Sequence, residues 1–482
     1  MQGLFRRKPI VDDMDGDASR GPGLKRVLTA LDLTLLGVGA IIGTGIFVLT
    51  GHAAAVQSGP AVVLSYIVAG VACGFAALAY AELAAMVGGC GSAYGYSYAA
   101  FGELVAWIIG WDLILEYGVS VAAVANGWSG YFNNALTAIG VGLPEAYTKG
   151  PFAEGGGGIV NLPAIIVILF LMTLLIIGVK ETARINAAAV AIKLVAVAIF
   201  IGVAMFNVEP ANWSPFMPHG WISYAPDGKP LGVLAGASIV FFAYVGFDAV
   251  STQAEEAKNP KRDIPFGIIV SLLICTVLYI GVVAVLTGMV KYDLIDKGAG
   301  VSSAFKSIGL GWAEGLIAIA GVAGITSVLL VMMLSAPRVF LAMARDGLLP
   351  TKFFADVHPK FQTPWKSTIV VGVFVAIAAG VLPIDALLHL TNIGTLFAFV
   401  IVCAAVLVMR KTNPNAERPF RCPLVPIIPS LGIIMCLVMM FSLPAANWLR
   451  LIGWLVIGFV IYFLYGKHHS KLKQRMDAGQ AG

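Results

Sequence analysis

Apolar residues run along this chain in stretches too long and too unbroken to be the inner faces of a soluble domain. Runs of membrane length occupy roughly 32–56, 61–86, 103–131, 162–178, 186–207, 232–252, 265–289, 313–341, 367–382, 386–409, 428–444 and 449–466. A helix needs about 20 such residues to cross a bilayer. The pattern therefore predicts an all-α polytopic membrane protein with twelve spans. Polar residues gather between the runs. The segments 132–161 and 208–231 are too short for independent domains, and 342–366 mixes charge with proline in a way that predicts a short interfacial helix.

The first run, LTLLGVGAIIGTGIFVLTGHAAAV from Leu33 to Val56, is the least regular. Gly37, Gly39, Gly43, Gly45 and Gly51 crowd its interior, and glycine weakens a helix because it has more backbone freedom to lose. One reading is close helix packing. The other is a helix that breaks at Gly43-Thr44-Gly45 and frees backbone N–H and C=O groups, which hydrocarbon tolerates only where they face protein, water or a ligand. Span six offers a second interruption at Gly246, within the aromatic run Phe241, Phe242, Tyr244 and Phe247, with Asp248 just beyond it at a depth where charge is costly. Breaks in spans one and six are the pattern of two five-helix repeats of inverted topology that bind substrate where the breaks meet. The repeats would cover 32–207 and 232–409, with 428–466 added outside them.

Composition agrees: 59% of residues are hydrophobic and 12% charged, with a mean hydropathy of +0.89. The net charge of +5 is explained by topology rather than by nucleic acid, because Lys and Arg divide 24 to 6 between alternate loops. That asymmetry places tails 1–31 and 467–482 in the cytoplasm, with no signal-peptide pattern at the start. The six cysteines show neither metal nor disulfide spacing and read as buried small hydrophobes.

Three further residues carry candidate chemistry. Lys193 stands mid-span in INAAAVAIKLVAVAIF, too deep to snorkel. An ammonium buried there without a counter-ion is costly, so the residue can serve as a site that loads and unloads a proton; the alternative is a permanent ion pair with Asp112, Glu116 or Asp248. Asp112 and Glu116 lie four apart on one face of span three. No nucleophile, metal set or triad accompanies them, which argues against an enzyme.

The stretches GAIIGTGIFVLTG, GSAYGYSYAAFGELVAWIIGWDLILEY at 91–117, FFAYVGFDAVSTQAEEAKNPKRDIP at 241–265, APRVFLAMARDGLLP at 336–350 and TNIGTLFAFVIVCAAVLVMRKTNP at 391–414 resemble the amino acid–polyamine–organocation superfamily, and within it the bacterial branch of the cationic amino acid transporter family. The resemblance implies a LeuT-type fold and secondary active transport. It implies that a substrate carboxylate meets the amides of Thr44 and Gly45 beside Gly43, that the ammonium meets the carbonyls of Ile41, Phe242 and Val245, and that Phe242 closes over the site as a gate. It also implies that Lys193 sits beside the carbonyls of Gly39 and Ile42, where sodium-coupled relatives hold a cation. Glu116 would line the side-chain pocket or join a proton network. Met332 stands near a position that is small and polar in some arginine carriers, and a thioether fills volume without strong hydrogen bonding. The expectation is a proton-coupled symporter for small neutral L-amino acids such as alanine, with cationic substrates a further possibility. No cofactor is expected beyond the coupling proton; the partners are the amino acid and membrane lipids. Nothing in the sequence specifies an accessory subunit. The rivals are a proton-independent exchanger and a non-transporting sensor, and the short tails argue against the sensor.

Overall fold

The computed structural model describes residues 4–9, 24–43, 45–138, 140–153, 156–226, 228–295, 300–307, 309 and 311–478. Apart from a two-residue ribbon that pairs Ser223 with Leu231, the regular structure described is helical. Its main helices are α1 (Ala30–Ile41), α2 (Val62–Val87), α3 (Glu103–Ala138), α4 (Leu162–Ile177), α5 (Val179–Ala204), α6 (Val233–Val240), α7 (Pro260–Met289), α8 (Gly311–Arg345), α9 (Trp365–Val381), α10 (Ile384–Thr412), α11 (Ile427–Phe441) and α12 (Ala445–Ile461).

Among the described residues, nine helical stretches are long and apolar enough to cross a membrane. The shorter apolar helices α4, α9 and α11 stand where three more spans are predicted. The molecule is thus an all-α, multi-pass membrane protein. Its outer surface fits that reading: Leu449, Ile452, Val456 and Val460 on α12 all lie exposed at helical spacing, as a lipid-facing stripe does. The six cysteines are buried and unpaired.

α1 packs against α5, α7 and α8, and α6 against α2 and α11; the first packing buries α1 from Leu36 to Ile41. Its start is fixed by a capping box, in which Thr29 Oγ1 accepts from Asp32 N and the Asp32 carboxylate accepts from Thr29 N at 2.9 Å. α8 continues to Arg345, past its predicted end at 341. The extension is possible because its arginines are neutralised from the chain beyond the second break: Arg338 is buried against Glu256, with Nε donating at 3.0 Å, and Arg345 meets Glu255 at 2.7 Å. At the same end, Val27 N and Leu28 N donate to Glu256 O, and Lys258 N donates to Leu28 O. The chain entering α1 is therefore tied to the chain leaving the second break. Between the end of α8 and the start of α9 the chain forms one short helical turn, Thr351–Phe354; the helix Ala93–Ala100 between α2 and α3 has no counterpart among the predicted spans.

Candidate functional site

Both predicted breaks exist. α1 ends at Ile41, Ile42 is extended (φ −77°, ψ 101°), and helical turns resume at Gly45. Thr44 lies outside the described residues, so the expected carboxylate contact is represented by Gly43 and Gly45. α6 tightens at Phe241–Tyr244, turns extended at Val245 (φ −58°, ψ 131°), and passes through Gly246 at φ +123° before helical turns resume at Asp248. That conformation is open to glycine and strained for other residues. The two breaks cross at close range: a side chain at Gly246 would collide with Ala40 and Met332, and one at Gly45 with Ala243.

Where the breaks meet they border a narrow space of about 10 Å³. Ala40, Ile41, Gly43 and Gly45 come from the first break, and Phe242 and Val245 from the second. α3 contributes Ser120 and Val124, and α8 contributes Val328 and Met332. Among the described residues the lining holds no charged side chain, so an ionic group bound here meets backbone or the Ser120 hydroxyl.

Lys193 reaches this region from α5. Its Nζ donates to Gly39 O at 2.9 Å, Ile42 O at 2.7 Å and Ser327 Oγ at 2.7 Å. An ammonium has three N–H donors, and here three acceptors receive them. Both carbonyls are groups that the end of α1 leaves unpaired, so the side chain stands in for the missing helical turn. Ser327, on α8, lies 3.0 Å from Gly39 O as well. Among the described residues no carboxylate pairs with Lys193, and the ion-pair alternative fails at its candidate partners. Asp248 accepts from Tyr117 OH at 2.5 Å and from Gly246 N at 3.2 Å. The carboxyl oxygens of Asp112 and Glu116 are buried with no hydrogen-bond partner among the described residues. Glu116, one helical turn from Ser120, is not among the residues lining the pocket.

The aromatic run divides by contact. Phe241 packs on Phe399, Phe247 on Tyr80 and Phe399, and Tyr244 on Tyr66 and Tyr279. Phe242, with no ring partner among the described residues, faces the pocket. Of the expected ammonium acceptors, Ile41 O already receives the Tyr279 hydroxyl at 2.7 Å, with Ala243 O 2.8 Å from the same oxygen. Phe242 O receives Val245 N at 3.2 Å. A carbonyl has two lone pairs, so each retains one for a ligand.

Sequence reasoning passed over Ser120, Val328, Ser327 and Tyr279. The signals available for the last two were a hydroxyl one to two turns before Met332 and a tyrosine deep inside the predicted span 265–289.

Comparison with known proteins reaches across most of the chain. The amino acid permease family matches residues 28–465. The chain is 48% identical over 476 residues to the branched-chain amino acid permease BcaP of Bacillus subtilis (strain 168), covering 98% of this chain and 100% of that one. It is 45% identical over 474 residues to the methylthioribose transporter of the same organism, covering 98% and 100%. It is 37% identical over 417 residues to the vacuolar cationic amino acid transporter 4 of Arabidopsis thaliana, covering 86% of this chain and 68% of that one.

Proposed function

The chain belongs to the amino acid permease family, a family of transporters rather than enzymes, and from that premise we propose that it is a proton-coupled symporter for small neutral L-amino acids. It would import them across the cell membrane, with both termini in the cytoplasm, by alternating access between two inverted repeats at 32–207 and 232–409. The observation that carries the reading is Lys193, whose three donors meet three acceptors at the end of α1.

In the proposed cycle, protonated Lys193 ties α5 and α8 to the first break while substrate occupies the pocket. The carboxylate sits at Gly43 and Gly45, at the N-terminal end of the resumed helix, whose unpaired amides and dipole favour an anion. The ammonium uses carbonyls of Ile41, Phe242 and Val245, and Phe242 closes over it. Proton loss leaves an amine with two donors and one lone pair. One of the three contacts then becomes oxygen against lone pair, unless Ser327 turns its hydroxyl toward the nitrogen. Either change weakens the hold on α1 and favours release.

The substrate class is supported by the uncharged, largely apolar lining with Met332 in it. Met332→Ser is expected to raise arginine uptake relative to alanine; unchanged arginine uptake would refute the placement of Met332 against the substrate side chain. The test of the function is radiolabelled L-alanine uptake into proteoliposomes with and without an inward proton gradient. Accumulation above equilibrium only with the gradient is the expected result. Exchange without accumulation would replace symport with the exchanger. No movement of alanine would turn the search to other solutes, beginning with methylthioribose.

A further inference from the structure

Ser120 lies in the α3 wall of the pocket, 1% exposed, and its Oγ has no hydrogen-bond partner among the described residues. A hydroxyl on a helix commonly bonds the carbonyl four residues back; the buried helical Ser97 and Ser129 also leave theirs unbonded, but of the three only Ser120 lines the pocket. In this protein Thr276 bonds Leu272 O, Thr287 bonds Val283 O, Thr326 bonds Val322 O, and Ser335 bonds Val331 O, all at 2.7–3.0 Å. Ser120 leaves its own turn unbonded and faces a space whose neighbouring side chains, Val124, Val328, Met332 and Phe242, offer no strong acceptor or donor.

A buried hydroxyl without a partner is unfavourable, and the penalty disappears when a polar atom arrives beside it. The ionic ends of an amino acid are accounted for by backbone at the two breaks. The α3 and α8 walls are left for its side chain, and there Ser120 is the one hydroxyl among apolar groups. We propose that Ser120 is a specificity residue that recognises a hydroxyl on the substrate's side chain, so that the pocket takes serine and threonine and prefers threonine to its isostere valine. This deepens the proposed function and rests on it. A site built to hydrogen-bond a substrate hydroxyl discriminates against the analogue that lacks it, because its own polar group is then left unpaired.

The test compares unlabelled L-threonine and L-valine as competitors of radiolabelled L-alanine, using the full-length protein as wild type, Ser120→Ala and Ser120→Cys. The ratio of their half-inhibiting concentrations is read within each variant, by uptake in proteoliposomes and by displacement of bound alanine in detergent. A slow or uncoupled variant therefore still reports it. Wild type is expected to favour threonine, Ser120→Ala to reduce that preference by about tenfold, and Ser120→Cys, a weaker donor, to fall between. A preference that changes by less than twofold in Ser120→Ala overturns the proposal and leaves the hydroxyl to solvent. Failure of wild type to bind or move alanine would sink the transport reading and this inference together, whereas alanine transport with an unchanged ratio sinks only the inference.

Discussion

At the first break, the groups that the helix leaves open are taken up by side chains from other helices. Lys193 of α5 and Ser327 of α8 reach Gly39 O, Lys193 also reaches Ile42 O, and Tyr279 of α7 reaches Ile41 O. Tyr66 of α2 approaches Gly45 O at 3.3 Å, and Tyr131 of α3 donates to Phe47 O at 3.1 Å. At the second break the chain largely holds itself. Val245 N donates to Phe242 O, Ala249 N to Gly246 O, and Gly246 N to the side chain of Asp248 two residues on. A break held by its neighbours can be released by changing one of them. A break held by its own turn moves as a unit. Under the proposed function, the chemistry that responds to a proton would therefore belong at the first break, and the second would provide the fixed shape against which substrate is bound.

The largest expected effect falls on the self-held break. Gly246→Ala forces a side chain into a φ of +123° and against Ala40 and Met332, at a cost of about 3 kcal/mol from backbone strain and overpacking combined. The expectation is a marked fall in thermal stability in detergent, with loss of alanine binding. Near wild-type stability and uptake would mean that the glycine conformation does not hold the second break. A smaller effect is expected from Tyr279→Phe, which removes the hydroxyl shared by Ile41 O and Ala243 O, the point where the two breaks are joined. Losing it should cost about 1–2 kcal/mol and slow alanine uptake severalfold while gradient dependence remains. If gradient dependence disappeared as well, coupling would not be confined to the lysine.

Much of this was legible from the chain itself. Glycine and aromatic placement located both breaks, and mid-span depth singled out Lys193 as a residue that must find partners. What stayed hidden were the partners supplied from elsewhere in the chain. Ser327 and Tyr279 are ordinary residues in apolar helices until the fold brings them to Gly39 and Ile41. Asp248 shows the opposite: it reads as an isolated charge, yet its partners are Tyr117, which the fold supplies from 131 residues away, and the amide of Gly246 only two residues away. Glu116 was expected to line the side-chain pocket or join a proton network; it lies one helical turn before Ser120, which with Val124 forms the α3 part of the lining. Burial depth can be read from hydropathy, but which face of a buried helix meets the ligand cannot be read from an unbroken apolar run.

The most direct measurement is gradient-driven L-alanine accumulation in proteoliposomes by Lys193→Ala, set against alanine counterflow by the same variant without a gradient. The account predicts that accumulation falls at least tenfold, to the level seen in wild type without a gradient, while counterflow persists. Accumulation equal to wild type would contradict it, making Lys193 a structural tie between α5 and α1 and moving proton coupling to another group.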